Sequence, residues 1–186
     1  VFHNPGDALF QGNGRLHNHD NVLVDAALGA IRLANHDGKT VIDALVYNNT
    51  IYATQTGISF GSAPSGTSFV RGNAIFSPSP FNATVTGQAD NVTDSVANAG
   101  NYVNAPSTVL GQMDFFPKAG GGLEGSAIDL SPVSSGSDYD RDFNGTPKDG
   151  TFRGAYHGDG QNPGWSLDRT LKSGGGSGAA GSVGAA

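Results

Sequence analysis

The chain has no cysteine, one methionine and one tryptophan in 186 residues, and only 14% of its residues are charged. Without cysteine it can form neither a disulfide bond nor a paired-cysteine metal centre, although a secreted protein with a sufficient core needs neither. No apolar stretch is long enough to span a membrane as a helix. The net charge of −6 and the lack of a basic cluster argue against nucleic acid as a partner.

Glycine is abundant, with 29 residues, and with Asn, Ser and Pro it separates short runs of β-branched and aromatic residues. Examples of these runs are Val22–Val24, Ala74–Phe76 and residues 84–86. Such runs predict short strands joined by many turns, and no segment has the length or period of a competing helix. The sequence therefore predicts an all-β protein.

An asparagine recurs at one position of this pattern: Asn21, Asn49, Asn73 and Asn91 each precede a short apolar strand. They are spaced by 28, 24 and 18 residues, as expected for successive coils of a solenoid. An asparagine in a turn tolerates left-handed backbone and can hydrogen-bond to the equivalent residue of the next coil. We therefore predict about four stacked coils linked by an asparagine ladder, stabilised mainly by contacts between neighbouring coils.

The asparagine ladder also predicts which side chains face the interior. Val46 and Val70, three residues before their ladder asparagines, should point inward together with Ile51 and Ile75. The corresponding residue of the first coil is Asn18, so we predict a register slip or β-bulge there.

The pattern divides the chain into three parts. Residues 1–106 carry the coils, and residues 107–172 form a looser region that we predict to be the C-terminal cap of the same domain. A cap over the last coil is expected because the open end of a solenoid exposes unpaired strands and apolar side chains. Residues 173–186 contain only Ser, Gly, Ala and Val and predict a flexible tail.

Three motifs follow the ladder: Gly-Ser-Ala-Ile-Asp-Leu at 125–130, Asp-Phe-Asn-Gly-Thr-Pro-Lys at 142–148 and Arg-Gly-Ala-Tyr at 153–156. In this order they resemble the C-terminal end of right-handed parallel β-helix proteins of the pectin-lyase-like superfamily. The chain departs from the family pattern at Lys148, where arginine is usual, at Arg153, where Asp-Ile is usual, and at His157, where an acid is usual. The resemblance covers residues 1–157 and concerns how the helix is finished, not what it catalyses.

The resemblance implies an exported protein at the cell surface or outside the cell, because most members of the superfamily are exported. Many members cleave or bind polysaccharides, so the expected partner is a polysaccharide or a neighbouring surface protein. The first residues lack a basic start and an apolar run, and they match a strand in mid-coil. We therefore expect the C-terminal part of a longer protein, whose exposed coil end would also be a surface for self-assembly.

A structural calcium ion is the predicted cofactor. Asp140, Asp142 and Asn144 alternate and are followed by Gly145, as in the first half of a calcium-binding loop. The loop's twelfth position lacks the usual glutamate, so another aspartate, Asp138 or Asp149, would have to complete the site. The predicted ligands are Asp138, Asp140, Asp142 and Asn144. The alternative is a turn in which the aspartates accept hydrogen bonds from their own backbone.

A second candidate site is a row of side chains two residues before the ladder asparagines, formed by His19, Tyr47 and Arg71. Because Val46 and Val70 should point inward, Tyr47 and Arg71 should point outward. A polysaccharide lyase must neutralise a uronate carboxylate, remove a proton and protonate the leaving oxygen, which arginine, histidine and tyrosine could do in that order. The alternative is a non-catalytic face on which Tyr47 stacks against sugar rings and Arg71 binds carboxylates.

Two functions of different class follow from these residues. The first is a non-catalytic protein that binds polysaccharide or has a structural role in an assembly; Trp165 would add a sugar platform unless it folds back over the cap. The second is a lyase that cleaves uronate-containing glycans by β-elimination. A hydrolase is a weaker hypothesis, because it needs two carboxylates near one bond and only Asp20 and Asp90 share a ladder position.

Overall fold

The computed structural model describes residues 7–172 in full and residues 2–3 by their backbone alone. The predicted tail at 173–186 therefore lies outside the described residues. Short strands make up almost all of the regular structure. In chain order they are β1 (Phe2–His3), β2 (Phe10–Gly12), β3 (Gly14–His19), β4 (Val22–Val24), β5 (Gly29–Leu33), β6 (Val41–Tyr47), β7 (Thr50–Tyr52), β8 (Thr56–Phe60), β9 (Ser68–Arg71), β10 (Ala74–Phe76), β11 (Ser79–Phe81), β12 (Gln88–Ala89), β13 (Val92–Asp94), β14 (Val103–Ala105) and β15 (Asp114–Pro117).

Three parallel sheets wind the chain into a solenoid. Sheet A contains β1, β4, β7, β10 and β13; sheet B contains β2, β5, β8 and β11; and sheet C contains β3, β6, β9 and β12. The coils stack in chain order and give about three turns, where about four coils were predicted. Strands β14 and β15 form a separate antiparallel pair. The predicted parallel β-helix is confirmed, and right-handed coiling is the hand that parallel crossovers nearly always take.

Helical structure contributes little to the described chain. Its helical segments are two short 3₁₀ turns, Val96–Asn101 and Ser131–Val133. Neither is long or apolar enough to cross a membrane.

The predicted asparagine ladder runs along the turn between sheets C and A. Asn21 donates its backbone N–H and its Nδ2 to Oδ1 of Asn49, each over 3.1 Å. Asn49 donates to Asn73 in the same way over 3.0 Å, and Asn73 donates to Asn91 over 2.9 Å. From Asn49 onward each Nδ2 also donates to a backbone carbonyl of the preceding coil. Asn49 and Asn73 are fully buried, and because the amides satisfy one another, the ladder ties successive coils together.

The residue immediately before each ladder asparagine has left-handed backbone. These four residues, which we call the left-handed row, are Asp20 (φ 53°), Asn48 (φ 50°), Gly72 (φ 65°) and Asp90 (φ 55°). Glycine, asparagine and aspartate tolerate this conformation better than other residues, which explains why these types recur before the ladder.

Aliphatic and aromatic side chains from all three sheets fill the interior of the solenoid. As predicted, Val46, Val70, Ile51 and Ile75 are fully buried there. Burying one such side chain contributes roughly 1.5–3 kcal/mol, so stacking the coils supplies most of the driving force for folding. The largest other members of this core are Leu23, Ile31, Leu33, Ile58 and Phe60.

We predicted that residues 107–172 cover the last coil, but they pack against the side of the stack. Phe115 and Tyr156 of this segment bury outward-facing side chains of sheet A, including Val22 and Phe76. Since Val22 belongs to an early coil and Phe76 to a late one, the segment spans the coils instead of closing an end. We call residues 107–172 the lateral layer. Val85, from the loop after β11, fills the late end of the core.

The lateral layer also covers sheet C. Val133 is fully buried against Tyr47 and Phe69, which point outward from that sheet. Sheet B has no comparable cover within residues 7–172, because Gln11 and Arg32 on its outer face are exposed.

Two details of the strand prediction were wrong. The register slip expected at Asn18 is replaced by direct pairing with Val46, and the irregularity lies between Gly14 and Arg15. Residues 84–86 form a loop where a strand was expected, because Val85 turns inward to the end of the core.

Candidate functional site

His19, Tyr47 and Arg71 form one row on the outer side of sheet C. His19 pairs with Tyr47 across β3 and β6, and Tyr47 pairs with Arg71 across β6 and β9. The imidazole of His19 stacks on the phenol of Tyr47, with centroids 4.7 Å apart and an interplanar angle of 5°. The predicted alignment is correct, whereas the catalytic and sugar-binding roles of these residues remain predictions.

The exposure predicted for this row is wrong for Tyr47. Its side chain is fully buried, because Phe69 and Val133 pack against it. Burial, with a smaller contribution from the Asp20 carboxylate, raises the pKa of the Tyr47 hydroxyl above its ordinary value. A phenol in this position can neither stack on a sugar ring nor exchange a proton with one unless the lateral layer moves.

A buried ion pair lies beside the row. Lys148 of the lateral layer places Nζ 2.5 Å and 2.6 Å from the two carboxylate oxygens of Asp20, and His19 Nδ1 lies 2.7 Å from one of them. The Lys148 side chain is 4% exposed and that of Asp20 is 9% exposed. Burial raises the pKa of Asp20 and lowers the pKa of Lys148, while the attraction between the two groups opposes both changes.

Arg71 is the most accessible member of the row. Its side chain is 38% exposed, compared with 19% for His19. The guanidinium group lies 5.2 Å from the centroid of the Phe69 ring and 3.8 Å from a carboxylate oxygen of Asp90. An anionic ligand could therefore reach Arg71, but of the two groups predicted to transfer protons Tyr47 is covered and His19 is only partly accessible.

The loop predicted to bind calcium folds as a turn around Asp142. This side chain is 6% exposed, and its Oδ1 accepts hydrogen bonds from the backbone N–H groups of Asn144 and Thr146. Its Oδ2 accepts a third hydrogen bond from the backbone N–H of His157. The first two bonds match the alternative stated above, in which aspartate stabilises its own turn, and the third joins that turn to the segment that follows the Arg-Gly-Ala-Tyr motif.

The other predicted calcium ligands make different contacts. Asp138 and Asp140 are exposed, and Nδ2 of Asn144 donates to the side chain of Asn162 over 3.1 Å. Within the described ranges, no three His, Asp or Glu side chains lie close enough together to hold a metal ion. Calcium binding at this loop stays a prediction.

Trp165 packs onto the lateral layer. Its ring lies 6.2 Å from that of Phe143, and its Nε1 donates to Oγ1 of Thr170 over 3.1 Å. It borders the apolar cluster between the lateral layer and sheet A and remains partly exposed. These contacts match a covering role for Trp165, and a sugar platform at this residue remains a prediction.

The outer face of sheet B is accessible along several coils. Gln11, Arg32 and Ser59 lie side by side across β2, β5 and β8. An open groove beside Arg32 is also lined by Asn13 and His36. Arg32 is exposed and makes no hydrogen bond or ion pair with any residue that the structure describes. Gln11 Nε2 donates to Asp7 Oδ1 and Ser59 Oγ donates to the carbonyl of Ile31, each over 3.4 Å. Of these three side chains, Arg32 is therefore the one that is free to bind a ligand.

Neither the pairing of Lys148 with Asp20 nor the accessibility of Arg32 was predicted from the sequence. Lys148 stands where the terminal motif of the superfamily usually has arginine, and Asp20 directly precedes a ladder asparagine. Each residue could therefore be singled out separately from the sequence. The two residues are 128 positions apart, and nothing in the sequence indicated that they meet. Arg32 lies between two apolar residues, which does predict that it points outward, but not that its face stays uncovered.

Comparisons with known proteins assign no family to this geometry. No protein-family model matches the chain, and no curated protein or solved structure matches it either. Membership of the pectin-lyase-like superfamily therefore remains a hypothesis that rests on the terminal motifs and the parallel β-helix fold.

Proposed function

We propose that this chain is a non-catalytic, exported β-helix protein that binds polysaccharide along the outer face of sheet B. The observation that carries the proposal is the difference between the three faces. The lateral layer covers sheets A and C, whereas the side chains of Gln11 and Arg32 on sheet B are exposed. A ligand that lies along several coils therefore has this face available to it.

The side chains on the face suit a sugar chain. Adjacent coils of a parallel sheet are about 4.8 Å apart, so Gln11, Arg32 and Ser59 repeat polar groups at that spacing along the stack. Amides and hydroxyls can hydrogen-bond to sugar hydroxyls, and the planar guanidinium of Arg32 can form two bonds to one carboxylate. A uronate-containing polysaccharide is therefore the preferred ligand.

We propose that the chain is not catalytic because side chains of the predicted catalytic row are buried or already bonded within the protein. Tyr47 is buried, and His19 is engaged with the carboxylate of Asp20. A general acid or base must come within hydrogen-bond reach of its substrate, and the lateral layer keeps Tyr47 out of that reach, while the side chain of His19 is only 19% exposed. Export to the cell surface or the extracellular space is proposed from the resemblance of the terminal motifs to the pectin-lyase-like superfamily.

The test is retention of the chain on immobilised polysaccharides, with neutral and uronate-rich glycans compared and the absorbance of unsaturated uronates followed in the same samples. We expect retention on uronate-rich glycans without new absorbance. Arg32→Ala should abolish most of the retention, and Arg169→Ala, which removes an exposed arginine elsewhere, should leave it unchanged. Equal retention of the two variants would contradict the proposed face, and lack of retention by the unmodified chain would contradict the binding proposal and favour a structural role in an assembly.

A polysaccharide lyase is the second candidate, because the structure does bring His19, Tyr47 and Arg71 into one row. It requires that the lateral layer opens, since Tyr47 is buried in the closed arrangement. New uronate absorbance would favour this candidate, and Arg71→Ala should then abolish it. Lyase activity that survives Arg71→Ala would show that the row is not the active site.

A further inference from the structure

The buried contact between Lys148 and Asp20 holds an amine nitrogen directly against a carboxyl group. Lys148 Nζ is almost equidistant from Oδ1 and Oδ2 of Asp20, at 2.5 Å and 2.6 Å. The carbon that joins the two oxygens, Cγ, is therefore also close to the nitrogen. The two side chains are 4% and 9% exposed, so little bulk water reaches either of them.

The surroundings of the pair include an aromatic ring, an imidazole and, near Lys148, the carboxylates of Asp140 and Asp142. The ring of Tyr47 lies 5.6 Å from Lys148 Nζ and carries no charge there, while His19 stacks on that ring. His19 Nδ1 lies 2.7 Å from Oδ2 of Asp20. An imidazole at this position can transfer a proton to or from the carboxylate oxygen.

An ionised pair in this place is costly to maintain. Removing an ammonium and a carboxylate from water costs several kcal/mol for each ion, and their mutual attraction often fails to offset it. Burial correspondingly lowers the pKa of Lys148 and raises that of Asp20, which favours the neutral amine and the neutral acid. These are the two forms from which an amide can be made.

We propose that Lys148 and Asp20 become joined by an intramolecular isopeptide bond between Nζ and Cγ, formed by the folded chain itself. The amine nitrogen attacks Cγ of the protonated carboxyl group, and a carbon–nitrogen bond forms. One carbon–oxygen bond breaks, and its oxygen leaves as water with the carboxyl proton and one proton from the amine. His19 carries the proton from the nitrogen to the departing oxygen. The reaction needs no oxidant, cofactor or second protein.

Folding brings the amine and the carboxyl group into contact and excludes bulk water from them, two conditions that are absent in solution. Amide formation from an acid and an amine is slow in water, but groups held in contact behave as if they were present at roughly 10⁵–10⁸ M. Exclusion of bulk water from the site also disfavours the reverse hydrolysis. Both conditions exist only after the lateral layer has docked on the first coils, since the two residues are 128 positions apart.

The bond would fasten the lateral layer permanently to the solenoid. Asp20 belongs to the left-handed row, and Lys148 begins the segment that crosses that row. The consequence is a chain that stays closed under conditions that separate non-covalent layers, which suits a protein exposed outside the cell. This inference does not depend on polysaccharide binding, and its test involves no glycan.

The test is the intact mass of the purified chain, followed by a tryptic peptide map. The bond removes one water, so the mass should be about 18 Da below that of the sequence. Trypsin should fail to cut after Lys148 and should release residues 16–32 linked to residues 142–153. A mass equal to that of the sequence in the folded chain would overturn the proposal. A loss of water located at another position, such as a cyclised Asp-Gly pair, would overturn it equally.

Variants separate the bond from the ion pair. Lys148→Arg keeps a cation beside Asp20 but removes the attacking amine, so its mass should equal that of its own sequence. Lys118→Arg changes an exposed lysine and should retain the loss of one water. His19→Gln should slow the appearance of the linked peptide after refolding by at least tenfold, because it removes the proton carrier. Formation at an unchanged rate would overturn the role of His19.

Discussion

Gly154 donates its backbone N–H to the carbonyl oxygen of Gly72 over 2.7 Å, and this contact joins the lateral layer to the left-handed row. Neighbouring residues of the layer bind the other members of the row. Lys148 binds Asp20, the carbonyl of Phe152 accepts from Asn48, and Arg153 donates to the carbonyl of Asp90. Residues 148–154 therefore contact every described coil at the turn that carries the ladder. Arg153 and Gly154 of the Arg-Gly-Ala-Tyr motif thus hold the lateral layer against the left-handed row.

Replacing Gly72 with alanine should destabilise the chain by about 3 kcal/mol. Left-handed backbone costs an alanine about 1–2 kcal/mol, and its Cβ would lie 2.6 Å from Cδ1 of Ile128, so the lateral layer must also shift. Gly38→Ala is the matched control, because Gly38 has a similar φ of 71° but nothing within 4 Å of the added carbon. Urea denaturation should show a loss of about 1 kcal/mol for Gly38→Ala. Equal losses in the two variants would mean that the contact with the layer adds no stability.

Asn49→Ala should cost about 3 kcal/mol, because it leaves several buried groups without partners. The Asn49 side chain accepts from Asn21 and donates to Asn73 and to two backbone carbonyls. Asn101→Ala, at an exposed asparagine of the 3₁₀ turn, should change the free energy of unfolding little. Both can be measured by urea denaturation, and an Asn49→Ala variant as stable as Asn101→Ala would show that stacking does not need the ladder.

Asp142→Ala should destabilise the lateral layer by about 3 kcal/mol, whether or not a calcium chelator is present, because three backbone N–H groups lose a charged acceptor. Asp140→Ala, at an exposed neighbour, should have little effect. Thermal unfolding of both variants with calcium and with chelator gives the comparison. If calcium raises the unfolding temperature of the unmodified chain and Asp140→Ala removes that rise, the calcium prediction from the sequence is correct.

Acid should destabilise the chain in part through Asp94. Asn98, the backbone N–H of Ser95 and the hydroxyl of Tyr102 donate to this carboxylate and lower its pKa below the ordinary value of 3.8. A lowered pKa in the folded state means that the stabilisation is complete above that ordinary value and is lost as the pH falls through the folded value. Asp94→Asn should therefore flatten the fall of unfolding temperature below pH 4, and Tyr102→Phe should flatten it less. Identical acid profiles for all three chains would contradict this account.

The ladder could be predicted because its determinants are local and repeat. Asparagine after a residue that tolerates left-handed backbone marks the turn, and the valine three residues earlier marks the inward side. Asn49 and Val46 lie where the pattern placed them. Val85 shows the limit of the same argument, because its β-branched run matches a strand while the residue fills the end of the core. A β-branched run forms a strand if another coil follows and fills the end of the core if none does. A short stretch of sequence does not contain that information.

The candidate sites were less predictable because they are formed by residues that are distant in the sequence. The alignment of His19 with Tyr47 follows from the repeat, but the burial of Tyr47 is caused by Val133, which lies in another part of the chain. The contact of Lys148 with Asp20 likewise joins residues that are distant in sequence.

The sequence by itself determined the class of fold, the position of the ladder and the inward side of each coil, because these depend on backbone conformation and on alternation within a few residues. Only the tertiary structure decided where the lateral layer lies, which two faces it covers and which charged groups it buries. Those outcomes depend on long-range packing, such as that of the Phe115 ring against Tyr52, which no short stretch of sequence encodes. Among residues 7–172, the face of Arg32 is therefore left open because the lateral layer does not reach it.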